Sequence, residues 1–110
     1  MNAKTISITA ADGGQFSAYL SLPPTGTGPG LLLIQEIFGV NAHIKAVADQ
    51  YAMDGYVVLA PDVFWRQAPN VDLGYDQAGF DRGLALLGGV DFQQTEEDLA
   101  LAASTLRGLP

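Results

Sequence analysis

The stretch QEIFGVN, residues 35–41, places an amide and a carboxylate, Gln35 and Glu36, directly after the apolar run LLLI at 31–34. A carboxylate beside a buried strand loses hydration and must gain a hydrogen-bond donor, a cation or a raised pKa, which makes Glu36 a candidate for proton or electrostatic chemistry. The alternative is a partly solvated glutamate just ahead of a helix, stabilised by the positive end of the helix dipole. Residue type and spacing leave both readings open. The residues that follow, from Ile37 to Asn41, join a strand end to a helix start, where backbone N–H groups can converge on one point and hold a developing oxyanion. The same residues also fit an ordinary strand-to-helix turn in which Gly39 only eases the backbone.

Both readings require elements that bring the turn to the end of a sheet. Residues 4–22 alternate with period 2: Ile6 and Ile8 share one face, and Phe16, Ala18, Leu20 and Leu22 share another run beyond the ADGG turn signal, which predicts a β-hairpin. The Pro- and Gly-rich PPTGTGPG at 23–30 is a loop. Residues 31–34 and 56–60 (YVVLA) are short unbroken apolar runs, the pattern of strands covered on both faces in a parallel sheet. Between them Ile44, Val47, Ala48, Tyr51 and Ala52 recur at helical spacing, with Asn41 as N-cap and Gly55 as the stop. Strand, helix, strand predicts a right-handed crossover. In open α/β sheets ligands bind outside the carboxyl ends of the strands, and Glu36 has that address.

After Pro61 and Asp62 a loop-like stretch leads to two helical patterns separated by Gly88 and Gly89. In the first, Phe80, Leu84 and Leu87 share a face and Gly79 and Gly83 interrupt the pattern. In the second, Asp91 and Gln94 resemble a capping box, while Leu99, Ala102, Ala103 and Leu106 form the apolar face. Glu96, Glu97 and Asp98 early and Arg107 late match the helix dipole. Phe64 and Trp65 read as core, with a pocket wall as the alternative, and Arg66 as a loop-fixing partner of Asp62. Arg82, beside Asp81, reads as an exposed helix arginine, and His43 as a surface residue at a helix start.

The 110 residues fit one domain, 1–110, with a modest core, and 48% hydrophobic against 15% charged content argues for a globular chain. Twelve acidic against five basic side chains give a net charge of −7, which repels nucleic-acid phosphates and anionic lipid surfaces, so neither is an expected partner. With no cysteine and one histidine, a thiolate metal site, a disulfide framework and a His-rich metal site are all excluded, and no cofactor is expected. No run has signal-peptide or membrane-span character, which makes a cytoplasmic location the expectation. A nucleotide-binding reading fails because GTGPG precedes a strand instead of following one.

QEIFGVN, then GYVVLAPD, then RQAP, in that order and at that spacing, resemble the N-terminal part of the dienelactone hydrolase family; the resemblance covers the whole chain as the first half of such an enzyme. It implies an α/β fold, the N-terminal portion of an α/β-hydrolase sheet: a β-hairpin, parallel strands with a crossover helix, and two C-terminal helices. In that fold one oxyanion donor comes from the loop after the third strand, and LLLI is the third predicted strand. The activity implied is opening of a small-molecule lactone or carboxylic ester by a cysteine nucleophile with a histidine and an aspartate. By the same resemblance Glu36 adjoins the nucleophile and helps switch it between resting and activated states. Ile37 gives its backbone N–H to the oxyanion hole, Phe38 is near the substrate, and Arg82 binds a substrate carboxylate, a role that suits an arginine fork. The family's Gly-x-Cys-x-Gly elbow, acid and histidine have no counterpart here, and no Gly-x-Ser-x-Gly replaces them. The expectation is therefore a truncated chain that carries the oxyanion loop and Glu36 but is inactive by itself. The alternative is a non-catalytic assembly module that pairs through an open sheet edge, as a homo-oligomer or with a C-terminal half.

Overall fold

In the computed structural model, which describes residues 2–35, 37–68 and 71–108, the alternating N-terminal stretch forms strands β1 (Asn2–Thr9) and β2 (Gln15–Leu22). They pair antiparallel, with Ile6 opposite Ala18 and Ile8 opposite Phe16, so the apolar residues of both strands share one face as their period-2 spacing requires. Strand β3 (Gly30–Leu32) leads through the turn to helix α1 (Ala42–Met53) and then to strand β4 (Val57–Pro61). Helices α2 (Gln77–Gly88) and α3 (Phe92–Arg107) follow. The four-stranded sheet has the order β1-β2-β4-β3, with β4 antiparallel to β2 and parallel to β3.

Every residue of β4 is buried, and its side chains alternate between two cores. Val57 and Leu59 face Phe16, Ala18, Leu20 and Ala102 of α3. Val58 faces Ala48 and Ala52 of α1, with Tyr19, Leu31 and Leu33 at the margin. Each fully buried Val or Leu contributes about 1.5–3 kcal/mol. Asn41 caps α1 by accepting from the Ile44 N–H at 3.0 Å, and Gly55, at φ +103°, follows the C-cap Asp54. Asp91 caps α3 through the Gln93 and Gln94 amides.

Two expectations need correction. The 31–34 run is not covered on both faces: β3 spans three residues, its leucines are half-buried, and Ile34 is 47% exposed. The reason is its position at the sheet edge, where β4 is its sole strand partner among the described residues. The sequence left the direction of α2 open: the face shared by Phe80, Leu84 and Leu87 is exposed, while Gly79, Gly83 and Leu86 are buried. Arg66 does not pair with Asp62, whose carboxylate instead accepts from the Phe64 amide at 3.2 Å.

Arg66 pairs across the molecule. Its Nε and Nη2 donate to the two oxygens of Asp98 on α3 at 3.1 and 3.0 Å, and its Nη1 reaches Asp12 in the hairpin turn at 2.6 Å. Trp65 Nε1 donates to the same Asp98 at 2.9 Å, the guanidinium lies 4.3 Å from the Trp65 ring, and that ring stacks on Phe16. Asp98 therefore serves this clamp in addition to any dipole role. Fully buried pairs lose about 3–5 kcal/mol when one partner is removed, and the partial water access of Arg66 reduces that figure. Asp98→Ala is expected to lower unfolding free energy by about 2–3 kcal/mol in urea titration, and Asp12→Asn, at an exposed position, by far less; equal losses would contradict the clamp.

On the other face the Tyr19 hydroxyl donates to Asp49 Oδ1 on α1 at 2.9 Å, and the Ser21 hydroxyl donates to the same oxygen at 2.8 Å. Burial, and then the bond to Asp49, pushes the Tyr19 hydroxyl up to about 12. A raised folded-state value means this stability is complete below the unfolded tyrosine value of about 10 and is lost as pH rises through the folded value. Tyr19→Phe should flatten the fall in urea midpoint across that alkaline window; an unchanged slope in the variant would remove Tyr19 as its source.

Candidate active site

The turn after β3 is held by atoms from three directions. Leu33 N–H continues the parallel ladder by donating to the Leu59 carbonyl at 2.9 Å, which carries the chain past the end of the assigned strand. Gln35 Oε1 then accepts from the Val63 N–H at 2.8 Å, joining the loop after β3 to the loop after β4. Both loops leave the carboxyl ends of parallel strands, the location at which α/β sheets carry ligands.

From a second direction, residues 71–75 run across the turn. Gly39 forms an antiparallel bridge with Asp72, and Leu73 N–H donates to the Phe38 carbonyl at 2.9 Å. Gly39 has φ +84°, and its Cα faces the Val71 carbonyl so closely that a side chain would collide with it. Glycine is required there both for the conformation and for the approach. Phe38 is half-buried, its ring centroid 4.5 Å from that of Tyr75. Asn41, 3% exposed, uses both ends of its amide: Oδ1 caps α1 and Nδ2 donates to the Tyr75 hydroxyl at 3.1 Å.

The third direction is α2. Asp76 caps it by accepting from the Gly79 N–H at 2.7 Å, and Gly79 lies against the Gly74 carbonyl. One turn on, Gly83 faces the Ile37 carbonyl: a Cβ built on Gly83 would stand 2.5 Å from that oxygen. Beside the turn opens a cleft of about 280 Å³ whose walls are mostly apolar, including Ile34, Ile37, Val63, Phe64 and Leu87, with Gln35 at its edge.

The structure thus brings Ile37 and Phe38 together at the strand ends, with the backbone of α2 against Ile37. Glu36 lies outside the described residues. Arg82, one residue from the Gly83 contact, is exposed, and the carboxylate of its neighbour Asp81 accepts from Gln77 Nε2 at 2.8 Å. His43 is exposed at the start of α1, its ring meeting Tyr75 edge-on at 6.1 Å. Phe64 is core, 2% exposed, yet also forms a wall of the cleft. Sequence reasoning did not find the roles of Gln35, Gly83 and Tyr75. The four-residue spacing of Gly79 and Gly83 was the available signal, since it puts two glycines on one helix face. Among the described residues no group of three or more His, Asp or Glu is gathered to hold a metal, and no helix is long and apolar enough to cross a membrane.

Comparison with known proteins gives a consistent result. The family model described as the dienelactone hydrolase family matches residues 16–106. "Carboxymethylenebutenolidase 1" of Cupriavidus pinatubonensis is 35% identical over 106 residues, 96% of this chain and 45% of that protein. "Putative carboxymethylenebutenolidase" of Azospirillum brasilense is 46% identical over 88 residues, 78% of this chain and 38% of that protein. The crystal structure of "Putative Dienelactone Hydrolase" from Klebsiella pneumoniae superposes with a TM-score of 0.79 at 30% identity, covering 96% of this chain and 43% of that one. The chain spans less than half the length of each.

Removing the Asn41 side chain deletes both a helix cap and the Tyr75 bond. Asn41→Ala should therefore cost about 1–2 kcal/mol of unfolding free energy and weaken the Phe38–Tyr75 contact. Urea unfolding and tyrosine fluorescence read the two effects; a loss below about 0.5 kcal/mol would be too small for a buried cap.

Proposed function

Because the chain belongs to the dienelactone hydrolase family, we propose that it is the oxyanion-loop portion of a hydrolase acting on small carboxylic esters or lactones. The observation that carries the reading is the turn from Ile37 to Asn41, fixed at the carboxyl end of the parallel strand pair beside an apolar cleft. When a nucleophile attacks an ester carbonyl, negative charge moves to the carbonyl oxygen, and a backbone N–H held in place beforehand stabilises it without reorganisation. In this reading Ile37 supplies that N–H, and the carboxylate of Glu36, one residue earlier, adjoins the nucleophile and helps set its charge state. The cleft takes the apolar part of the substrate, with Phe38 near it. Arg82, exposed on the helix that packs against Ile37, receives a substrate carboxylate. The names of two of the relatives point to a carboxymethylene-substituted butenolide, an unsaturated lactone bearing such a group.

The chain contains no cysteine and no serine at an elbow, so the covalent step needs a nucleophile, acid and histidine that these residues do not provide. The 110-residue chain alone is expected to show no saturable hydrolysis of p-nitrophenyl acetate. In the protein as its source makes it, Glu36→Ala is expected to lower kcat/KM by about 100-fold or more. Saturable turnover by the mass-verified 110-residue chain that Glu36→Ala abolishes would overturn the first statement. An unchanged kcat/KM in the second variant would overturn the assignment of Glu36.

A second reading, an assembly module, has its own observation. The outer edge of β3 has no strand partner among the described residues, and a cleft of about 390 Å³ lies between β3 and α3, lined by Leu32, Val57 and Leu106. Ile34, Leu84, Leu87 and Phe92 add exposed apolar surface. This reading predicts a concentration-dependent rise in mass by light scattering, with homo-oligomers formed through the edge. A monomer at high concentration that binds no hydrophobic dye would eliminate it.

A further inference from the structure

We infer that Gly83 of α2 is a positioning residue: its missing side chain lets the helix backbone rest against the Ile37 carbonyl and Cβ and so sets where Ile37, and with it the proposed donor N–H, lies. The inference deepens the hydrolase reading and rests on it for its catalytic consequence.

Three observations support it. A Cβ on Gly83 would stand 2.5 Å from the Ile37 carbonyl oxygen and 3.1 Å from both its carbonyl carbon and its Cβ, so even alanine forces the turn or the helix to move. Side-chain ends yield to such pressure, but the atoms met here are backbone and Cβ. Next, the inward face of α2 is built mostly of glycine, with Leu86 its one buried large apolar side chain among the described residues. Phe80 and Leu84 are exposed and Leu87 only lines the open cleft, while Gly79 and Gly83 face in, an orientation that gives up part of the available hydrophobic burial for close backbone approach. Finally, the turn has little freedom to absorb a push, because Gln35 holds its start to Val63 and the Gly39–Asp72 bridge holds its far side. Displacement of α2 is therefore transmitted to Ile37.

Gly88, in the same helix, provides an internal control, since a Cβ there meets nothing within 4 Å. In the protein as its source makes it, Gly83→Ala should shift the Ile37 and Phe38 amide resonances. It should also lower kcat on an activated ester by roughly 100-fold, the effect of about an ångström of misplacement, with KM changed less than about twofold. Gly88→Ala should change neither. Gln35→Met removes the acceptor for Val63 N–H while keeping side-chain length; it should move the same two amides and lower kcat in the same direction, and it decides the question if Gly83→Ala does not fold. Unmoved Ile37 and Phe38 amides in a folded variant overturn the inference, as does a loss confined to KM. A wild-type protein that hydrolyses no ester instead overturns the hydrolase reading, and the amide shifts then decide the positioning role alone.

Discussion

The structure depends on the complete burial of β4. Five consecutive residues with no access to water must satisfy their backbone groups within the protein, which requires a strand on each side, β2 antiparallel and β3 parallel. The alternation of its side chains then demands a covering layer on each face, supplied by α1 and α3. The parallel pairing with β3 has a further effect. It brings the carboxyl ends of two strands side by side, so the loops that leave them can be joined by one side chain, Gln35, bonded to Val63. The candidate site follows from the way the central strand is satisfied.

The α3 layer is held by more than apolar contact. Asp98 is buried on a helix face otherwise used for packing, and a carboxylate there is tolerated because Arg66 and Trp65 satisfy both of its oxygens. Arg66 also draws Asp12 toward it and holds that carboxyl below the usual carboxylate range. The hairpin turn, the loop after β4 and α3 thus meet at one guanidinium. The same loop carries Val63, the donor to Gln35, so the clamp and the turn share a short rigid segment.

Much of this was legible in the sequence because local periodicity encodes it. The hairpin, the buried run of β4, the Asn41 cap and the Gly55 stop are each specified by residues adjacent in the chain, and each appears in the structure. The location of the turn at a strand end was readable for the same reason. Arg66 was read as loop-fixing, but its partner was missed because Asp98 lies 32 residues away and no local pattern links them. Tyr75 was missed on similar grounds: its contacts with Phe38 and Asn41 arise only when residues 71–75 cross the turn. The length and cover of β3 were overestimated because apolarity alone does not distinguish an edge strand from a central one.

The orientation of α2 is what periodicity alone did not give. Hydrophobic periodicity puts Phe80, Leu84 and Leu87 on one face, and a rule by which burial of side chains decides how a helix turns would bury that face. Here two buried glycines decide it, although each costs about 1 kcal/mol of helix propensity relative to alanine. What they gain is distance: the Gly79 backbone reaches the Gly74 carbonyl, and the Gly83 backbone reaches the Ile37 carbonyl, closer than any side chain would allow. A helix built only for stability would have alanine at both positions and its leucines underneath. This one has glycine at both and only Leu86 underneath, which ties its orientation to the position of Ile37, and it is the point in the chain where local sequence preference and the geometry of the turn most clearly diverge.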